Sequence, residues 1–123
     1  MSKQLSFVKY ENELIHNFRN KINTSEDIED VRNIFSYTII DLFDRIFQGR
    51  LGELYTEDVF FEPENDHYFK FSKKIWKNPE FKKIWEESDL PKVVSDFADS
   101  AYRRYVHLHK HPEKTEMKIR NNG

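Results

Sequence analysis

Apolar side chains recur every three or four residues along most of the chain, broken by short polar stretches, and this rhythm predicts helices. Phe7, Val8, Leu14, Ile15, Phe18 and Ile22 mark a first helix over 5–22, with Glu11, Glu13 and Arg19 on other faces. Asn23-Thr24-Ser25 breaks the pattern, and Ser25 is the expected N-cap of the next helix, with Glu26 and Asp27 favouring the positive end of its dipole. That second helix is the most strongly patterned. Ile28, Val31, Ile34, Phe35, Thr38, Ile39, Leu42, Phe43, Ile46 and Phe47 form a wide apolar stripe over about six turns. Gly49 is expected to end it in a left-handed C′ position.

The rhythm weakens over 50–66. Gly49-Arg50-Leu51-Gly52 reads as a turn, and Val59-Phe60-Phe61 as either a strand or a buried loop anchor. A short helix is then predicted from about His67 to Lys77, with Tyr68, Phe71 and Ile75 on one stripe and Trp76 beside it. Asn78-Pro79 places an N-cap and an N1 proline ahead of a second short helix carrying Phe81, Ile84 and Trp85. Asp89-Leu90-Pro91 opens the last long helix, whose stripe is Val93, Val94, Phe97, Ala98, Ala101, Tyr102, Tyr105 and Val106. Pro112 disfavours helical geometry at His111, so this helix is expected to end near Lys110. Residues 112–123 lack periodicity and read as a flexible C-terminal tail. The predicted architecture is therefore all-α. One domain over 1–111 carries three long and about two short helices in bundle-like or orthogonal packing.

Composition sharpens this picture. A chain of 123 residues makes one domain that buries about two thirds of its unfolded surface. With 15% aromatic residues and eleven phenylalanines, its core is expected to be Phe-rich. There is no cysteine, which excludes disulfides, thiolate zinc sites, iron–sulfur clusters and thiol catalysis. The N-terminal segment gains charge before any apolar run, unlike a secretory signal, and no stretch approaches the roughly 20 apolar residues of a membrane span. A soluble cytoplasmic protein is expected, and nothing in the sequence calls for a cofactor.

Net charge is only −2, but the charges are segregated. Six acids and no Lys or Arg lie between Glu53 and Asp66, whereas six lysines and only Glu80 lie between Lys70 and Lys83. Such blocks either pair with each other in the fold or steer a partner over a Debye length of roughly 8 Å. Within the basic block, Lys-Lys-Ile-Trp occurs twice, ending in Trp76 and Trp85, the only tryptophans of the chain. Two readings fit. The rings face inward at helical spacing and leave Lys73, Lys74, Lys77, Lys82 and Lys83 as a partner-facing ridge. Alternatively, rings and lysines together grip bases and phosphates or a lipid surface.

The last helix holds a second constellation, Arg103-Arg104-Tyr105-Val106-His107-Leu108-His109-Lys110-His111. His107 and His111 have the i,i+4 spacing of two metal ligands, although a closed site needs a third. The plainer reading is cationic side chains suited to a helix C-terminus. Arg104 followed after four residues by His109 resembles the Arg-x4-6-His motif of HEPN-type ribonucleases, which are small all-helical dimeric domains. The resemblance implies that Arg104 stabilises phosphate charge and His109 performs acid–base chemistry on an RNA 2′-hydroxyl. It covers six residues, and Tyr105 departs from the small polar residue usual there. An ideal helix also separates positions five apart by about 140°.

Asp41 with Asp44 and Asp96 with Asp99 are i,i+3 acidic pairs, read as solvated faces beside the apolar stripes. The expectation is a small binding or regulatory protein, such as an inhibitor, immunity factor or accessory subunit, that docks to another protein through charged, aromatic-rimmed surfaces. The alternative is a nucleic-acid binder or a ribonuclease using Arg104 and His109. A homodimer is compatible with either, because a self-associating helix face has the same periodicity as a core face.

Overall fold

The computed structural model describes residues 5–110. As the sequence predicts, the architecture is helical: α1 (Val8–Asn23), α2 (Ile28–Phe47), α3 (Lys73–Trp76), α4 (Pro79–Glu87) and α5 (Leu90–Lys110). A two-stranded antiparallel hairpin, β1 (Val59–Phe61) and β2 (Phe69–Phe71), lies between α2 and α3. No helix among the described residues is long and apolar enough to cross a membrane. His111 and residues 112–123 of the expected tail lie outside the described residues.

Helix α2 is the spine. Val31, Phe35, Ile39, Leu42, Phe43 and Phe47 are buried along it, and α1 and α5 pack on it and on each other. Its start differs from expectation. Asp27 is the N-cap and accepts from the Asp30 N–H at 2.9 Å, while the Ser25 hydroxyl turns back to donate to the Lys21 carbonyl. At its end Gly49 takes the expected left-handed conformation, at φ 88°, and the C-cap Gln48 before it is left-handed as well, at φ 52°. Helix α1 begins later than the periodicity suggests because Leu5 pairs with Ser88 in a parallel bridge. Asp89 completes this junction, accepting from the Phe7 N–H at 2.8 Å and the Ser6 hydroxyl at 2.7 Å. A carboxylate there faces the positive end of α1.

The main correction falls on the segment expected to be a helix from His67 to Lys77. Residues 69–71 are a strand, paired Val59↔Phe71, Phe60↔Lys70 and Phe61↔Phe69, and only one helical turn follows at α3. Phe69-Lys70-Phe71 alternates buried, exposed, buried, the period of a half-covered strand. Pairing with the equally alternating Val59-Phe60-Phe61 buries rings from both strands on one face. The Ser36 hydroxyl on α2 donates to the Val59 carbonyl at 2.5 Å and ties that face to the spine. Tyr68, at φ 72°, holds a left-handed conformation unusual for a bulky residue. Its ring lies flat on Tyr102 of α5, with centroids 3.9 Å apart.

Asn78 and Pro79 start α4 as predicted: the Asn78 side chain accepts from the Glu80 and Phe81 amides. Phe43, Phe47, Phe71 and Phe81 then meet as one ring cluster, with centroids 5.4–6.0 Å apart.

Candidate functional site

Where the hairpin, α3, α4 and the first turns of α5 converge, they leave a groove of about 510 Å³. Its wall is aromatic. Phe69 and Phe71 project into it from the buried face of β2, Trp76 from the end of α3 and Trp85 from the last turn of α4. The two indoles meet edge to face at 5.6 Å and 87°. Trp85 also lies 6.0 Å from Phe69 and 5.5 Å from Phe71, while Trp76 lies 5.7 Å from Phe71. Phe71 is 3% exposed, whereas both tryptophans are partly exposed and reach the groove. Edge-to-face contacts of this kind fix ring orientation and stiffen the wall.

The rim carries two lysines and a histidine. His67, Lys70 and Lys92 are all exposed and line the groove, and no Asp or Glu among the described residues does so. Lys92 also approaches Asp96, one turn further along α5, at 3.3 Å. The groove thus offers an apolar floor beside two ammonium groups.

The expected lysine ridge divides. Lys73, Lys77, Lys82 and Lys83 are exposed, with no ion pair among the described residues. Lys74 is structural: its ammonium donates to the Glu53 carbonyl, pairs with Asp58 at 3.6 Å and lies 5.2 Å from the centre of the Tyr55 ring. Lys74–Asp58 is the one ion pair joining the acidic and basic blocks among the described residues. Lys70 and Lys92, neither of them in the expected ridge, are the lysines that accompany Trp76 and Trp85 at the groove. The alternation of Phe69, Lys70 and Phe71 was the signal that could have placed Lys70 at a rim.

The histidine-rich end of α5 is split between two sides. Arg104 turns toward the loop between α1 and α2, where it donates to the Ser25 carbonyl, and it lines a cavity with Arg103 and His107. His109 instead stacks on Tyr105, with centroids 5.6 Å apart, on the side where Tyr105 meets Phe61 of the hairpin. Arg104 and His109 therefore have different neighbours. His111 lies outside the described residues, and no group of three or more potential metal ligands occurs among those described. Asp41 pairs with Arg45 at 3.0 Å and Asp96 with Lys92, while Asp44 and Asp99 are exposed.

Comparison with protein-family models, curated proteins and solved structures yields no match for this chain.

Proposed function

We propose that the protein is a small helical binding module that receives an acidic segment of a partner protein in the aromatic groove. The supporting observation is the pairing of a ring-lined floor with a rim of His67, Lys70 and Lys92 free of acidic lining residues. A large apolar side chain on the partner gains most of its affinity by leaving water against Phe69, Trp76 and Trp85. Acidic neighbours steer the encounter and fix its orientation through the lysines. In this role the chain acts as an inhibitor, immunity factor or accessory subunit, with binding as its output.

Selection of displayed random peptides against the purified protein tests this reading. The selected peptides should combine Asp or Glu with a Trp, Phe or Leu anchor. Their affinity should fall at least about tenfold in Lys70→Glu and in Ser95→Trp, which reverses one rim charge and fills the groove respectively. Peptides whose binding survives both changes, in variants that melt like the parent, would overturn the proposal.

A further inference from the structure

A second cavity, of about 340 Å³, lies between α1 and the C-terminal half of α5, away from the aromatic groove. Three of its lining residues are arginines. Arg19 comes from α1, and Arg103 and Arg104 are consecutive on α5; Asn23, Ser100 and His107 complete most of the wall. None of the three guanidinium groups forms an ion pair among the described residues. Arg103 donates to the Ser100 hydroxyl at 3.1 Å, and Arg104 donates one Nη to the Ser25 carbonyl. The Arg104 Nε–H is buried and has no acceptor among the described residues.

This arrangement is costly for a folded protein left empty. Like charges share one concavity, and a buried donor stays unsatisfied where nearly all such groups find partners. An oxyanion resolves both problems. It supplies acceptors for the planar guanidinium forks, whose geometry matches phosphate oxygens, and it neutralises charge that no carboxylate among the described residues balances. The Ser25 contact meanwhile holds Arg104 in place, which limits the entropy lost when an anion enters.

We propose that this cavity binds a phosphate monoester dianion, with Arg19, Arg103 and Arg104 as its ligating groups and the hydroxyl and amide of Ser100 and Asn23 as neutral partners. The site stands on different residues from the groove, so it holds or fails independently of the function proposed above. Three positive charges favour a dianion over a singly charged diester. The volume also leaves room beside the phosphate for part of the group that carries it.

The test is a titration of the 15N-labelled protein with inorganic phosphate at constant ionic strength, following the arginine Nε–H signals. Saturable movement of the Arg104 Nε–H signal is expected, with binding at least about tenfold weaker in Arg19→Gln and in Arg103→Gln. Both residues are exposed on their helices, and Arg19 makes no bond that the fold requires among the described residues. Dimethyl phosphate should bind more weakly than phosphate. Adenosine 5′-monophosphate and glucose 6-phosphate then distinguish a nucleotide source from a sugar source, the tighter one showing which ester group fits. Absence of saturable movement with phosphate, or equal movement in the two variants, would overturn the assignment.

Discussion

Asp58 ties the short turn that leads into β1 to the start of α3. Its carboxylate accepts from the Tyr55 N–H at 2.9 Å and the Ser72 hydroxyl at 2.8 Å, and it faces the Lys74 ammonium at 3.6 Å. Its own carbonyl accepts from the Ser72 N–H at 2.9 Å. The residue is 7% exposed, so few waters can replace these partners. Burial disfavours its charge, but the bonds from Tyr55 and Ser72 and the nearby Lys74 outweigh that and hold the carboxyl below its ordinary value. Removing it in Asp58→Ala leaves two part-buried donors unpaired, and we expect a loss of roughly 2 kcal/mol of unfolding free energy in urea. Because the folded-state pKa is depressed, the parent keeps this contribution above the ordinary carboxylate range and loses it as the pH falls through the folded value. The variant should therefore lack that acid limb of the stability profile. A variant that matches the parent in both respects would show that the hairpin closes without Asp58. Nothing in the sequence singled this residue out: among six acids in a row of fourteen positions, its partners at Ser72 and Lys74 are set by a hairpin that periodicity alone does not register.

Among elements, the legible ones were those whose apolar spacing persists for several turns. The stripes of α2 and α5 match the buried faces of those helices, and that of α1 matches except at Val8, which is exposed, because the long helices pack on one another. The Asn78-Pro79 start of α4 was legible because capping chemistry is local. Residues 67–71 were misread because Tyr68, Phe71 and Ile75 have helical spacing while Phe69 and Phe71 have strand spacing; pairing with 59–61 decides between them, and that contact is remote in sequence. The α1–α5 contact carries a consequence no spacing announces. Burial, hydrogen bonding to Asp96 and the negative charges of Asp96 and Asp89 raise the Glu11 carboxyl from 4.5 to about 7, with Lys92 opposing them. Folding thus favours the protonated form. The contribution is full below about pH 4.5 and is lost as the pH rises through about 7. Melting temperatures taken from pH 4.5 to 8 should show this alkaline decline in the parent, and Glu11→Gln, which stays neutral, should flatten it. An unchanged slope in Glu11→Gln would place the decline elsewhere.

For the whole molecule, the tryptophans decide how core and surface are divided. The sequence allowed either inward-facing rings or a stacking platform, and the fold combines parts of each: Phe71 and Phe81 are buried, while Trp76 and Trp85 rest on them and face the groove. Sequence reasoning could not reach this, because a ring that covers the core and a ring that walls a groove have the same helical spacing. The lysines that matter at the groove come from β2 and α5, outside the repeated Lys-Lys-Ile-Trp unit that drew attention to the segment. Since these are the only two tryptophans in the chain, their emission reports on the groove without labelling. The field of Lys70 and Lys92 should concentrate small anions at the mouth and repel cations over roughly a Debye length, about 8 Å at physiological salt. Iodide should accordingly quench the emission more strongly than caesium at low ionic strength, with uncharged acrylamide setting the scale for access alone. Added sodium chloride should bring the two ionic quenchers together, and Lys70→Glu should narrow their difference without changing the acrylamide response. Caesium quenching equal to or above that of iodide in the parent would mean that the acids of the neighbouring 53–66 segment govern the potential at the groove. An acidic partner would then be the wrong occupant.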